Sequence, residues 1–364
     1  MNKAERPLVI ALLAMAMSIL NGMVGFADTL TDCAGGAVQA VSPTNYNIMW
    51  MPGVHPPRTI IDMRGITFRL QASSNPNPDG VCHYTGANRI PTNPYPVMNP
   101  EGTNKATIDA CFRGGRVIGG VSPTANRTVW SSNGGYCNSA AVFMKNGIST
   151  RQKIRSTRVD RAWDGFRIGG SNCRTPGTCH NLIRGVWATN VRDDCVENDS
   201  LGGLSIQDSL FDGCYSGVSA DANASSSHAY TDTIELNGVL LRLQEFPDTQ
   251  YGKKGSYLLA PFKINKASGP SLVINNSIIA LASYDSSRHV RWETGWAKVK
   301  TCSNNQFLWL SDSPFPTYMF PKLPSCFTVK TGAAARATWT AARATWIANH
   351  PEVSRLASDP PVAK

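Results

Sequence analysis

Apolar residues along this chain come in short, β-branched runs broken every few positions by Gly, Asn or Ser, and the runs recur. Residues 181–220, NLIRGVWATNVRDDCVENDSLGGLSIQDSLFDGCYSGVSA, hold two successive turns of a repeat of about 22 residues. The turns align on similar cores: Trp163-Asp-Gly-Phe-Arg-Ile, Asp193-Asp-Cys-Val-Glu-Asn and Tyr215-Ser-Gly-Val-Ser-Ala. Alternation along a strand makes Phe166, Val196 and Val218 one inward stack and sends their neighbours outward. Its spacings are 30 and 22 residues, the longer one containing the insertion CRTPGTC. Ile154, Leu182 and Leu204 align in the same way at intervals of about 22–28 residues. Further strands are expected at 59–70, 116–121, 140–146, 233–243, 257–265, 272–282 and 306–310.

A fixed period with short strands predicts an all-β chain wound as a right-handed parallel β-helix, closed by a short C-terminal capping α-helix. Runs this short also suit an antiparallel sandwich. The steady in-line alignment favours parallel coils. Three irregular stretches interrupt them, at 72–104, 221–232 and 246–256, and the first is a candidate cleft wall. The hexapeptide AARATW occurs at 334–339 and again at 341–346, which puts Trp339 and Trp346 on one helix face. They are expected to dock on the open last coil. Three parts result: a leader at 1–27, the β-helix at 28–330, and the C-terminal helix and tail at 331–364, packed on the β-helix end.

The leader reading rests on Lys3 and Arg6, an apolar run over 8–20, and Gly25-Phe26-Ala27 before a plausible cut. That apolar core is short for a membrane span, which needs about 20 residues. A secreted or periplasmic protein without a transmembrane segment is expected. All ten cysteines lie beyond the cut, as an oxidising compartment allows. Spacing alone leaves their connectivity open. Cys173 with Cys179, Cys195 with Cys214 and Cys302 with Cys326 are the sensible pairs. No CxxC occurs and no histidines have metal-ligand spacing, so no metal site is expected. The net charge of +10 fits an anionic partner or simple solubility; the basic residues are scattered, and no nucleic-acid module is present. A monomer is expected.

The inward stack fixes other columns. Asp164 and Asp194 lie two positions before it on adjacent coils, about 4.8 Å apart along the stack, with Asp193 beside them. One position after it lie Arg167, Glu197 and Ser219, and a looser alignment adds Lys263 and Arg291. Two carboxyl groups flanking a glycosidic bond can divide the work, one protonating the leaving oxygen and the other activating water. The cations Arg167, Lys263 and Arg291, with Glu197, would shape the substrate subsite. Aspartates at coil turns also bond backbone amides, so a purely structural role is the competing reading. Trp187, Tyr215, Trp292 and Trp296 are candidates for stacking on sugars or for coil packing.

The segment NLIRGVWATNVRDDCVEN resembles a coil of the polygalacturonase-type glycoside hydrolases, and Trp163-Asp164-Gly165-Phe166 is similar to that family's N-T-D-G-F. The resemblance covers about 60 residues of 364 and is specific at D-D-C. It implies a β-helix and inverting hydrolysis by three aspartates, with Asp193 as general acid and Asp164 and Asp194 activating water. It also implies a Cys195–Cys214 disulfide. The family's G-H-G histidine is absent at Tyr215-Ser216-Gly217, and its R-I-K is matched weakly at Phe262-Lys263-Ile264-Asn265-Lys266. Together these features predict a secreted glycoside hydrolase acting on an extracellular glycan, acidic chains included, without a cofactor. A polysaccharide lyase using calcium and a non-catalytic glycan-binding surface protein are the alternatives.

Overall fold

The computed structural model describes residues 58–69, 109–119, 121–126, 151–169, 180–198, 202–221, 232–246, 259–265, 269–282, 289–316 and 322–354, with shorter pieces at 33, 38–40, 49–50, 97–98, 130 and 140–144. The leader at 1–27, most of the loops at 72–104, 221–232 and 246–256, and Cys173 and Cys179 lie outside the described residues.

Every strand pairing among the described residues is parallel, and the strands form two sheets. The nine-stranded sheet takes one strand from each turn: Val38–Ala40, Ile60–Asp62, Cys111–Arg113, Lys153–Arg155, His180–Arg184, Gly203–Gln207, Thr233–Asn237, Ser271–Asn275 and Val299–Ser303. The 14-stranded sheet supplies two further faces. One face begins with Thr67–Arg69, Arg116–Ile118 and Arg158–Asp160 and ends with Leu240–Leu243, Ile278–Leu281, Asn305–Trp309 and Phe327–Thr331. The other holds Met49–Trp50, Val97–Met98, Ala140–Met144, Asp164–Ile168 and Ala260–Ile264. Two eleven-residue strands, Trp187–Glu197 and Leu210–Ala220, run round the corner and belong to both. The result is a three-faced parallel β-helix.

Its interior is a set of apolar ladders. On the first face Ile61, Phe112, Ile154, Ile183, Ile206, Leu236 and Ile274 pair in sequence, all buried. Burying each side chain contributes about 2 kcal/mol. The expected alignment of Ile154 with Leu182 and Leu204 is therefore corrected: Leu182 pairs with Lys153 and Ser205, and Leu204 with Asn181. Leu182-Ile183 offers two apolar registers, and a slip of one residue changes which side chain faces the core. On the third face Val142, Phe166, Val196, Val218 and Phe262 form one ladder, as the repeat alignment requires.

Left-handed residues turn the chain from the first face to the second. Gly114, Ser156, Gly185, Asp208, Gly238, Asn276 and Asn304 occupy this corner in successive coils, with φ between 42° and 74°. Three stretches that read as single strands break at such residues: 59–70 at Gly65, 233–243 at Gly238 and 272–282 at Asn276. Side chains then bond across coils: Asn276 Nδ2 donates to Asn237 Oδ1 (3.0 Å), and Asn304 Nδ2 to Asn276 Oδ1 (2.9 Å).

The helix His289–Ala297, unforeseen in the sequence, packs on Ala260–Ile264 and carries Trp292 and Trp296 into the core against Phe307, Phe262 and Phe327. Trp187 and Tyr215 are buried as well, so all four candidate aromatics pack coils. The helix Gly332–Asn349 packs on the last strands, Asn305–Trp309 and Phe327–Thr331. It extends along the flank of the second face, where Trp339 and Trp346 join a cluster with Trp187, Leu210, Leu240, Ile278 and Leu308. Those five strands span about 19 Å, within the roughly 27 Å length of an 18-residue helix. Disulfides join Cys33 to Cys111, Cys195 to Cys214 and Cys302 to Cys326. No described helix is long and apolar enough to cross a membrane.

Candidate active site

The third face brings the candidate carboxylates and cations together. Asp164 pairs with Ala140, Asp194 with Ser216, and Ser216 with Ala260. Three residues further along, Arg167 pairs with Glu197, Glu197 with Ser219, and Ser219 with Lys263. Residues three apart face opposite sides of a regular pleat. The pleat is interrupted between them. A Cβ added to Gly165 would lie 2.5 Å from Cys195 O, and one on Gly217 2.4 Å from Pro261 O. Only glycine permits so close an approach, and the two columns share one side there.

Lys263 Nζ donates to Asp194 Oδ2 at 2.7 Å and lies 3.8 Å from Asp193 Oδ1. Their strands are two spacings apart, about 9.6 Å. The lysine reaches back over Ser216 and Ser219, whose small side chains leave the path open. Arg167 Nε lies 3.1 Å from Glu197 Oε2. Asp164 Oδ1 accepts the Asp194 backbone N–H at 3.3 Å, and its carboxyl also meets the Glu197 side chain in a hydrogen bond. Two carboxyl groups in such contact need a proton between them. Asp164 and Asp194 are each 2% exposed, whereas the Asp193 side chain is 18% exposed. Asp194 Oδ1 is buried with no hydrogen-bond partner among the described residues.

A bulge orients the pair Asp193-Asp194. Pairing with the next strand shifts between Val191 and Asp194, so Arg192 and Asp193 together oppose Tyr215. Arg192, 1% exposed, fills the bulge, its guanidinium 4.8 Å from the Tyr215 ring, 5.3 Å from Phe246 and 5.8 Å from Trp163. A cation held against three aromatic faces is favourable and stiff. The Cys195–Cys214 disulfide ties the same two coils, and a loop of that length contributes about 3 kcal/mol. Sequence reasoning missed Arg192 and Ser216, because a bulge leaves no mark in a repeat alignment. Ser216 hydrogen-bonds Asp194.

Burial, then the neighbouring charges of Asp193 and Asp194, push the Asp164 pKa up to about 8 against the pull of Arg167. Burial also raises Asp194, and Lys263 draws it back to about 6. For Lys263, burial opposes the charge, but the carboxylates of Asp193 and Asp194 outweigh it and hold the ammonium protonated. At pH 7 the arrangement is a protonated Asp164 beside an ionised Asp194.

Of the expected site residues, Asp164, Asp193, Asp194, Arg167, Glu197 and Lys263 converge. Arg291 falls on the helix His289–Ala297, and its side chain lies outside the described residues. Asp164, Asp194 and Glu197 each bring one oxygen within 4.8 Å of the others. A calcium ion there would need six to eight oxygen ligands, while Lys263 and Arg167 already hold two of these carboxylates. Comparison of the chain with protein families, with curated proteins and with solved structures finds no match.

Proposed function

We propose that the protein is a secreted glycoside hydrolase that cleaves an extracellular polysaccharide at the Asp164–Asp194 pair. The observation that carries this reading is two buried carboxyl groups with oxygens within 4.8 Å, whose surroundings push their pKa values apart, to about 8 for Asp164 and about 6 for Asp194. Glycoside hydrolysis needs one carboxylic acid to protonate the leaving oxygen and one carboxylate to attack or to activate water. Asp164 is the proton donor, and Asp194, with Oδ1 open, is the carboxylate. Asp193, the most exposed of the three, meets the sugar and fixes its orientation. This departs from the roles that the polygalacturonase resemblance implies, in which Asp193 is the acid. The close spacing also suits a retaining pair, at about 5–5.5 Å, better than an inverting pair at about 6.5–9.5 Å.

A lyase would need a neutral base to abstract the proton beside a uronate carboxyl. Lys263 is held as a cation and Arg167 is paired with Glu197, which disfavours that role. A second reading, a glycan-binding surface protein, draws on the near-complete burial of Asp164 and Asp194, which suits a structural ion network. Three disulfides among the described residues support an oxidising, exported location.

The test is a reducing-end assay of the mature protein on a polysaccharide panel, beside Asp164→Asn and Asp194→Asn. Cleavage abolished in both variants while the folded state persists is the expected result. Undiminished cleavage in the variants would remove the pair from the chemistry. New absorbance near 235 nm would instead mark a lyase.

A further inference from the structure

The two cations of the site are already committed. Lys263 Nζ is taken by Asp194 and lies near Asp193, and Arg167 is taken by Glu197. Four carboxyl groups therefore face Lys263 and Arg167, while the third buried cation, Arg192, lies against Tyr215, Phe246 and Trp163. The carboxylates with their two paired cations are two charges negative, or one with a proton on Asp164. The cluster's buried open acceptors, Asp193 Oδ1 and Asp194 Oδ1, can accept from sugar hydroxyls and cannot accommodate a further carboxylate. Beside carboxyl groups as buried as Asp164 and Asp194, a like charge a few ångströms away is strongly disfavoured. The histidine by which the resembling family's motif differs is replaced by Ser216, which serves Asp194 and adds no charge.

We infer that the sugar bound at this pair is neutral: the site accepts a hexose or pentose chain and rejects a uronate at the cleavage point. The inference rests on the hydrolase reading, and it opposes the acidic substrate that the resemblance and the basic net charge would suggest. The positive charge of the molecule lies elsewhere on its surface and acts at long range, where salt screens it. Specificity at the bond is set by the groups that touch the sugar.

The experiment compares several uronate polysaccharides with their carboxyl-reduced forms, which keep the linkage and lose only the charge. Wild-type protein is expected to cleave a reduced chain with kcat/KM at least about tenfold above its acidic parent, with chelator present. Glu197→Gln releases Arg167 from its partner and should narrow that ratio by about tenfold, read as the ratio between the two chains and not as an absolute rate, since Glu197 also contacts Asp164. Faster cleavage of the acidic parent overturns the inference and leaves the hydrolase reading standing. If nothing is cleaved, the hydrolase reading fails and affinity electrophoresis decides the remainder. Retardation by reduced chains alone upholds a neutral-sugar site; retardation by the acidic chains, or by neither, overturns it. Folding of the variant is checked by its thermal midpoint.

Discussion

Two groups of aspartates lie on neighbouring faces of successive coils, and they are treated in opposite ways. On the flank covered by the Gly332–Asn349 helix, both carboxylate oxygens of the part-buried Asp208 and of the buried Asp212 have partners. Asp208 receives Trp346 Nε1 at 3.1 Å and His350 Nε2 at 3.1 Å, and Asp212 receives Arg242 on one oxygen and Arg343 on the other. On the third face Asp194 keeps an open oxygen, and Asp164 faces three other carboxyl groups with one guanidinium for relief. Saturated carboxylates act as fasteners, since removing a partner leaves a charge unpaired. Crowded, incompletely paired carboxylates lower stability and are characteristic of sites where chemistry sets pKa values. The same residue type on two faces of one coil stack thus does two kinds of work, decided by its partners.

The largest expected effect breaks that contrast directly. Asp164→Asn and Asp194→Asn should each lower kcat by about 10²–10⁴-fold, the usual weight of an acid–base group. Asp164→Asn should raise the thermal midpoint at pH 8, because it removes a charge the fold crowds. A carboxyl whose folded pKa is lifted from 3.8 to about 8 favours the native state most at low pH and progressively less as pH rises through that window. Wild-type stability should therefore fall from pH 4 to 8, and in the variant the fall should be shallower and end near 6, where Asp194 alone still titrates. Equal destabilisation of both variants at all pH values would make the third face a fastener too. Activity should follow a bell with limbs near 6 and 8, from Asp194 and Asp164.

The flank should respond in the opposite sense. Trp346→Ala removes a side chain packed on Trp187, with ring centroids 6.3 Å apart, and also a donor to Asp208. A loss of about 3–5 kcal/mol is expected, read as a lower thermal midpoint, with kcat per folded molecule unchanged. A fall in kcat at full folding would couple the flank to the site.

His350 gives a smaller and differently placed signal. Burial opposes its charge, but the hydrogen bond and charge of Asp208, the Trp346 carbonyl and Glu352 outweigh this and raise its pKa above 6.5. Its contribution is complete below 6.5 and is lost as pH climbs through the raised value. His350→Gln should make the stability–pH curve shallower above 6.5, where the Asp164 slope continues to about 8, and leave the curve below 6.5 unchanged. A slope above 6.5 that is equal in wild type and variant would show that His350 contributes none of it.

The site was more legible in the sequence than the corners. Trp163-Asp-Gly-Phe and Asp193-Asp-Cys-Val carry their carboxylates at the same offset from a large apolar residue, so one alignment delivers both, and Arg167 and Glu197 follow. Lys263 came only with a looser alignment because a long insertion precedes it. The protonation of Asp164 depends on burial and on the charges of Asp193 and Asp194 across a coil, and neither is local. Leu182-Ile183 hid the register. Gly65, Gly238 and Asn276 sit inside apolar runs, so each corner read as the middle of a strand. In HVRWETGWA the apolar positions give too weak a helical period to reveal a helix.

The smallest effect isolates the corner from the fastener at Asp208, which itself has φ of 42°. In the next coil Gly238 has φ of 68°, and an added Cβ would meet only Asp208 backbone atoms at 3.8 Å. Space is therefore adequate, and only the left-handed backbone opposes a side chain. Gly238→Ala should cost about 1–2 kcal/mol. Gly238→Asn should cost only a few tenths of that, because asparagine tolerates the conformation, as Asn276 and Asn304 do in the coils that follow. The new amide would also stand between Asp208 and Asn276, where it can continue the cross-coil ladder. Paired thermal melts at pH 6 measure both. Equal losses for alanine and asparagine would show that the corner rejects any side chain, and that Asp208 is held there by Trp346 and His350 against its own backbone.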